Sequence, residues 1–194
     1  MLYLMRHGQT IWNLQTRLQG RKDSPLTALG VAQAEAFGRS LQALLPDPSS
    51  CRVVSSPQPR AWSTAVLAVT AMGGDPSAIA HDARLMEHAF GLWEGLLWSE
   101  VQRDHKDSLD ARMADRWNTP APGGESYADV AARVRPWLAS LDPDATVLAF
   151  SHGVTTRVIR GLYAGLSEAD TMALKEPQDK IFVLDGGRLA EIAV

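Results

Sequence analysis

A cation, a candidate nucleophile and a glycine follow one another at the end of a short apolar run near the start of the chain. The run is Leu2-Tyr3-Leu4-Met5, and the triplet after it is Arg6-His7-Gly8. A short apolar run with a polar break behind it predicts a buried strand and its exit loop. Ligands of open α/β sheets gather beyond the carboxyl ends of strands, and Gly8 leaves room for one to approach the backbone. A guanidinium and an imidazole there suit an oxyanion, most of all a phosphate.

Two further apolar runs end in residues of the same kind. Residues 146–150 run into Ser151-His152-Gly153, and residues 51–54 are followed by a short polar loop and then Arg60. If the three predicted strands are parallel neighbours, two imidazoles and two guanidiniums meet at one edge of the sheet. Such a group suits phosphoryl transfer, which needs an in-line nucleophile and neutralisation of the phosphoryl oxygens.

These motifs belong to an ordered series that spans residues 1 to about 160. The other blocks are Trp12-Asn13, Arg17-Leu18-Gln19-Gly20, Asp23-Ser24-Pro25-Leu26-Thr27, Gly30, Gln33-Ala34, Ser55-Ser56-Pro57, Arg60-Ala61, Leu85-Met86-Glu87, Phe90-Gly91-Leu92-Trp93-Glu94-Gly95 and Gly123-Gly124-Glu125-Ser126. In this series the chain resembles the histidine phosphatase superfamily, also called the phosphoglycerate-mutase-like family. One block alone occurs by chance in many proteins, but the ordered set is specific.

The predicted fold class is α/β, because strand patterns alternate with helical ones along the chain. The resemblance implies a three-layer α/β/α arrangement around a mainly parallel central sheet, formed by a single domain over residues 1–194. Residues 86–125 are less regular and contain Trp93, Trp98 and Trp117. We interpret them as a helical excursion packed by these tryptophans, as a lid over the site, or as both.

Four residues form the core of the predicted site. His7 is the candidate nucleophile, because a neutral imidazole nitrogen can attack phosphorus and form a phosphohistidine. The neighbouring charges of Arg6 and Arg60 disfavour its protonation, and both guanidiniums are fork-shaped donors for a tetrahedral dianion. We expect His152 to hydrogen-bond a transferring oxygen, as the neutral ring or as the cation. These groups would supply the charge that Mg²⁺ provides elsewhere.

The remaining site residues rest on the resemblance. It implies that Glu87 protonates the leaving oxygen and then takes a proton from the attacking water. Spacing alone does not separate Glu87 from Glu94, and only the resemblance prefers the first. The resemblance also implies that Asn13, Gln19 and the backbone of Gly20 contact the phosphate side of the substrate.

The family contains phosphatases and phosphoglycerate mutases, and two departures favour a phosphatase. Glu87 is followed by His88-Ala89-Phe90-Gly91, where mutases usually place an Arg and then Tyr-Gly; Gly153 is followed by Val154-Thr155, where they usually place Asn-Ser. We also expect little room for the extra segment and tail of familiar mutases. The predicted substrate is a small phosphorylated metabolite. A cofactor-dependent phosphoglycerate mutase is the alternative, and a phosphoprotein-binding or regulatory module is a weaker one.

Composition narrows the function classes further. A chain of 194 residues with 45% hydrophobic and 21% charged residues suits one globular domain with its own core. Its formal net charge of −3 argues against a nucleic-acid surface. No apolar stretch approaches the ~18 residues that span a bilayer. The single cysteine, Cys51, suits a reducing compartment, and we expect the cytoplasm. Neither a metal nor another cofactor is expected, since the histidines and the cysteine show none of the spacings that are typical of metal ligands. The sequence leaves open whether the protein forms a homodimer.

Apolar stripes and turn residues predict the other elements. A helix is predicted from Thr27 to about Leu45, ending at Pro46, Asp47 and Pro48, and a second helix from about Pro57 to Met72. Residues 79–85 are predicted to contain a short strand, Ser126 to open a helix with Asp129 in a capping box, and residues 154–164 to form a further helix. Residues 181–184 and 188–192 are predicted to form a hairpin around Asp185-Gly186-Gly187.

Overall fold

The computed structural model of this chain describes residues 1–45 and 47–194. Within them, six strands form one sheet: β1 (Leu2–Arg6), β2 (Arg52–Ser55), β3 (Ala80–His81), β4 (Val147–Ser151), β5 (Lys180–Asp185) and β6 (Arg188–Ala193). The α-helices of the same residues are α1 (Ile11–Leu14), α2 (Ala28–Leu44), α3 (Pro59–Ala71), α4 (Trp98–Asp104), α5 (Lys106–Ala114), α6 (Tyr127–Ala139), α7 (Gly153–Tyr163) and α8 (Glu168–Ala173). None of these helices combines the length and apolar character that crossing a bilayer requires.

The sheet has the strand order β3-β2-β4-β1-β5-β6. Strands β3, β2, β4 and β1 are parallel, while β5 runs antiparallel to β1 and β6 antiparallel to β5. The prediction of a mainly parallel sheet is therefore confirmed. In the register, Arg6 lies opposite Ser151, and Ser55 lies opposite Phe150. The residues that follow β1, β2 and β4 consequently meet at one edge of the sheet, as the three apolar runs predicted.

Helices cover both faces of the sheet, which confirms the three-layer α/β/α arrangement. On β1, Leu2 and Leu4 pack toward α6 and α7, while Tyr3 and Met5 pack toward α2 and α3. All four side chains are buried. A strand buried on both faces has no polar side to show, so β1 reads as a continuous apolar run and not as an alternating one.

Several helix boundaries follow the predicted caps. The Thr27 hydroxyl accepts a hydrogen bond from the Gly30 amide at the start of α2, and Ser126 forms the capping box of α6 with Asp129. Helix α3 begins at Pro59, two residues later than predicted, because extended backbone at Gln58 makes that residue the cap. Pro46, assigned from the sequence to the end of α2, lies outside the described residues.

Residues 79–85 form less strand than the sequence predicted. Only Ala80 and His81 pair with β2; the Asp82 carboxylate then accepts a hydrogen bond from the Arg84 amide and starts a 3₁₀ turn over Ala83–Leu85. A short side chain that caps the backbone competes with strand pairing at this point. The predicted hairpin of β5 and β6 is confirmed.

The irregular segment over residues 86–125 contains α4 and α5 and a small apolar cluster of its own. Trp93 is fully buried in that cluster with Val101 and Ala121. Trp98, in contrast, is 39% exposed, so the prediction that it packs this segment is wrong. Movement of the segment as a lid stays a prediction.

Candidate active site

Most of the predicted site residues line one cavity of about 180 Å³ at the carboxyl edge of the parallel strands. This volume is below the ~300–1,000 Å³ usual for drug-sized ligands, so the cavity suits a small group. Its lining residues are Arg6, His7, Asn13, Arg17, Leu18, Gln19, Gly20, Arg60, Glu87, Phe90, Val154 and Glu176. His152 lies beside it, with its ring centroid 5.2 Å from that of His7.

The hydrogen bonds of His7 fix which ring nitrogen can react. Its Nδ1 lies 2.8 Å from the carbonyl oxygen of Gly8, which can only accept, so Nδ1 carries the proton. Its Nε2 accepts a hydrogen bond from Nε of Arg60 at 3.2 Å. Burial, followed by the charges of Arg60 and Arg6, holds the pKa of His7 well below its usual range. The ring is therefore neutral at pH 7, with a lone pair on Nε2.

The loop that carries His7 is held tightly against both α2 and α3. The Gly8 amide donates to the Thr64 hydroxyl at 3.0 Å. A Cβ on residue 8 would clash with the carbonyl oxygen of Gly30. We expected the missing side chain to make room for a ligand; the structure shows that it makes room for the backbone of α2. The glycine is required in either case, but the reason is packing.

Arg60 is buried in the first turn of α3 and all of its nitrogens are engaged. Besides the bond to His7, Nη1 donates to Asp23 Oδ1 at 2.8 Å and Nη2 donates to the Gly20 carbonyl at 2.8 Å. The Asp23 carboxylate, 25% exposed, balances the charge of the buried guanidinium. Gly20 thus serves the site through its carbonyl, which orients Arg60, as well as through its place in the cavity wall.

Arg6 reaches into the cavity from the end of β1. Its Nη1 donates to the backbone carbonyl of Glu176, and its buried Nε has no partner among the described residues. A bound oxyanion would satisfy that N–H. Arg6 therefore has a free donor that Arg60 does not have.

His152 is also buried, and one of its ring nitrogens is free to donate a hydrogen bond to a bound oxyanion, as Nε of Arg6 is. Its Nε2 lies 2.7 Å from the Ser56 hydroxyl, while Nδ1 has no partner among the described residues. Burial and the charges of Arg60, His7 and Arg6 hold the pKa of His152 well below its usual range. The ring is therefore neutral in this site, and the cationic form that the sequence left open is disfavoured.

The surroundings of Glu87 and Glu94 show which of the two candidate carboxylates is placed for proton transfer. Glu87 lines the cavity at the N-terminus of α7, where its Oε1 accepts from the amides of His88 at 2.9 Å and Thr155 at 3.3 Å. Glu94 does not line the cavity; its Oε1 ties two loops together by accepting from the amides of Arg21 at 2.8 Å and Phe90 at 3.1 Å. The geometry thus favours Glu87 for proton transfer.

The sequence did not reveal three residues that hold this site together. Gln58 donates to the Gly20 carbonyl at 2.9 Å and accepts from the Glu87 amide at 2.5 Å. Gln178 donates to the His7 carbonyl at 3.1 Å and to Asn13 Oδ1 at 3.1 Å. Glu176 lines the cavity. All three lie outside regular elements, where no periodicity marks them; the only signal for Gln58 was its place two residues before Arg60.

A metal ion would need several acidic, histidine or cysteine side chains close together. Among the described residues, no group of three or more His, Cys, Asp or Glu side chains is placed to hold one. The positive charge that the cavity offers to an anion is that of Arg6, Arg17 and Arg60, which all line it.

Comparisons with known proteins identify the family of this chain. The chain matches the family model for the histidine phosphatase superfamily (branch 1) over residues 2–187. It is 38% identical over 185 residues to a glucosyl-3-phosphoglycerate phosphatase of Mycobacterium tuberculosis, covering 87% of this chain and 74% of that protein. It is 32% identical, over an alignment of 211 residues with its gaps, to a 2,3-bisphosphoglycerate-dependent phosphoglycerate mutase of Sphingopyxis alaskensis; the alignment covers 95% of this chain and 92% of that protein.

Solved structures are similar over almost the whole chain. A mycobacterial glucosyl-3-phosphoglycerate phosphatase in complex with VO3 superposes with a TM-score of 0.79 at 30% identity, covering 98% of this chain and 96% of that one. YhfR of Bacillus stearothermophilus superposes with a TM-score of 0.81 at 29% identity, covering 99% and 95%. The chain therefore belongs to the histidine phosphatase superfamily, and the predictions of this family and of an enzyme of this class are confirmed.

Proposed function

We propose that the protein is a phosphatase that hydrolyses small phosphomonoesters through a phosphohistidine on His7, without a metal ion. The observation that carries the proposal is the tautomer of His7. Its proton is committed to the Gly8 carbonyl, and its Nε2 lone pair lies beside Arg60 in the cavity wall. A buried, neutral imidazole among guanidiniums is a nucleophile prepared for an anionic ester.

The first step forms a bond from His7 Nε2 to phosphorus and breaks the bond from phosphorus to the ester oxygen. Glu87 gives a proton to that oxygen, and the alcohol leaves. In the second step water attacks phosphorus, Glu87 takes a proton from it, and the bond from nitrogen to phosphorus breaks. Inorganic phosphate leaves, and His7 and Glu87 return to their starting states.

Donors of the chain itself neutralise the transferring oxygens. The Nε of Arg6 and the Nδ1 of His152 are buried and have no partner among the described residues, so both are available to donate to a bound oxyanion. Arg60 adds its charge beside the attacking nitrogen. Preorganised donors of this kind stabilise the charge of a transition state without reorganisation, which is the basis for proposing metal independence.

Hydrolysis is favoured over mutase activity by the two residues after Gly153. The side chain of Val154 is apolar and lines the cavity, so it offers no donor to a second phosphate. The Thr155 hydroxyl donates to the Met86 carbonyl at 2.7 Å and is already engaged. The mutase alternative draws support from the phosphoglycerate mutases among the relatives. A cytoplasmic location and a homodimer stay predictions.

Two assays on one preparation test the proposal. Release of inorganic phosphate from small phosphomonoesters should be readily measured. Interconversion of 2- and 3-phosphoglycerate, primed with 2,3-bisphosphoglycerate, should be absent or at least about tenfold slower, equivalent to about 1.4 kcal/mol in barrier. Mutase turnover that exceeds phosphate release by the same factor would replace the proposal with its alternative. Absence of both activities in a folded preparation would refute both.

A further inference from the structure

A second cavity of about 210 Å³ adjoins the catalytic one on the side away from Arg60 and His7. The two cavities share four lining residues, Leu18, Phe90, Val154 and Glu176. Together they provide more room than a phosphoryl group and a short alcohol need. The mechanism proposed above uses only the first cavity, so the second has no role in it.

The second cavity is rich in guanidinium groups. Arg112, Arg116 and Arg157 all line it, and Glu176 is its sole carboxylate. Arg157 pairs with Glu176 at 2.8 Å. Arg112 and Arg116 form no salt bridge with any carboxylate of the described residues. The cavity therefore carries an excess of positive charge that no carboxylate of those residues balances, although the whole protein has a net charge of −3.

Tyr127 holds these guanidiniums in place. Its hydroxyl accepts from Arg157 Nη1 at 2.9 Å and from Arg116 Nη2 at 3.4 Å. The guanidinium carbons of Arg112 and Arg116 lie 5.9 Å and 5.8 Å from the centroid of its ring, within the range of a cation–π contact. Arg112 is buried, and its Nη1 also donates to the Thr119 carbonyl at 2.6 Å. Positioned, partly desolvated cations of this kind recognise an anion more strongly than mobile surface lysines do.

We propose that the second cavity binds the leaving group and selects phosphomonoesters whose alcohol is extended and carries a carboxylate at its far end. This inference rests on the proposed phosphatase function. Extension is required because Arg112 and Arg116 line only the second cavity, beyond the four shared residues. Leu18, Phe90 and Val154, which line both cavities, provide an apolar wall for the carbon skeleton between the two anionic ends. Trp98 and Met113 add apolar surface to the second cavity.

A matched pair of substrates tests this selection. 6-Phosphogluconate and sorbitol 6-phosphate have the same chain length and differ at the far end, where one has a carboxylate and the other a hydroxymethyl group. The kcat/KM of the wild-type protein should be at least tenfold higher for 6-phosphogluconate. 3-Phosphoglycerate and glycerol 3-phosphate form the short pair, for which the preference should be smaller. If the kcat/KM ratio of the carboxylate ester to its hydroxymethyl counterpart is as large for the short pair as for the long pair, or larger, the carboxylate binds in the catalytic cavity and the inference is overturned.

Two variants of Arg116 locate the preference. In Arg116→Gln the kcat/KM ratio of the long pair should fall to threefold or less, whereas Arg116→Lys, which keeps the charge, should retain most of it. Arg103→Gln is the matched control, since Arg103 pairs with Asp104 on the surface of α4 and should leave the ratio unchanged. A ratio near one in the wild type, or a ratio that survives Arg116→Gln, contradicts the inference while activity on both esters still supports the phosphatase. Lack of phosphate release from all four esters would instead refute the phosphatase itself.

Discussion

Nε of Arg60 donates a hydrogen bond to Nε2 of His7 across 3.2 Å, so a permanent cation rests on the nitrogen that we propose as the nucleophile. The contact repels a proton from that nitrogen, and it also occupies the lone pair. Binding of a phosphate ester must move the Nε donor of Arg60 from the nitrogen to a phosphoryl oxygen. The other donors of Arg60 are held by Gly20 and Asp23, so the movement required is small.

Replacement of His7 should remove turnover and leave the fold in place. We expect His7→Ala to lower phosphate release by at least about a thousandfold, equivalent to about 4 kcal/mol in barrier. Wild type quenched with alkaline detergent during turnover should carry a phosphoryl group that is stable to base and labile to acid, and the variant should carry none. His81→Ala is the control, because His81 is exposed on the surface and stacks on Trp62. Full activity in a folded His7→Ala protein would refute the assignment.

Replacement of Glu87 should affect poor leaving groups most. An alkyl alcohol needs a proton as it leaves, whereas a nitrophenolate does not, so Glu87→Gln should slow single-turnover phosphorylation by alkyl phosphates by about 10²–10⁴-fold. The loss with p-nitrophenyl phosphate should be much smaller. Glu94→Gln keeps the oxygen that accepts from Arg21 and Phe90 and should behave alike with both esters. Equal losses for the two esters in Glu87→Gln would show that Glu87 is only structural.

Removal of metal ions should not change the rate. Dialysis against excess EDTA should leave phosphate release intact, because Arg6, Arg60 and His152 supply the donors that a metal would replace. Vanadate should inhibit, since it adopts the five-coordinate geometry of phosphorus in transfer. Recovery of a lost rate only on addition of Mg²⁺ or Zn²⁺ would contradict the proposed mechanism.

Acid should destabilise the fold through a buried histidine outside the proposed chemistry. Burial, together with the charge of Arg112, lowers the pKa of His88 to about 4, against 6.5 for an ordinary histidine. Between these two pKa values His88 is protonated in the unfolded chain but not in the folded one. The free energy of unfolding therefore falls as the pH falls, by about 1.4 kcal/mol per pH unit. Above pH 6.5 His88 adds no such slope.

The His88→Gln variant isolates this contribution. The difference in free energy of unfolding between the wild type and the variant should shift against the wild type by about 2 kcal/mol between pH 7 and pH 5. Urea unfolding at both pH values measures it, and His81→Gln on the surface serves as the control. A difference that stays constant over this interval would show that His88 is not responsible for the loss.

The main features of the site could be predicted because they coincide with strand ends. His7, Arg60 and His152 each follow an apolar run, and parallel strands bring such positions together whatever the loops do. Gln58, Glu176 and Gln178 could not be predicted in the same way. Each contacts the site from irregular backbone, and its partners are far away in sequence: Gln178 and His7 are 171 residues apart. Composition and periodicity carry no information about contacts of that kind.

Local competition explains the elements that were predicted less well. Residues 79–85 have the apolar content of a strand, but the Asp82 side chain captures the Arg84 amide and turns the chain after two paired residues. Trp98 is a residue type typical of a core, but it lines the second cavity instead. At Asp82 a polar contact overrides the tendency of the residue types, and at Trp98 a cavity does so. Both features are defined only by the folded structure.

The position of β1 between β4 and β5 has a consequence for synthesis of the protein on the ribosome. β1, the strand that leads into His7, is made before both of its neighbours, Val147–Ser151 and Lys180–Asp185. At about 5–20 residues per second, the strand waits on the order of ten seconds before its first partner exists. Until then the apolar Leu2–Met5 segment is an unpaired edge open to chaperones or to other nascent chains, and no N-terminal fragment that stops short of these partners can assemble the nucleophile.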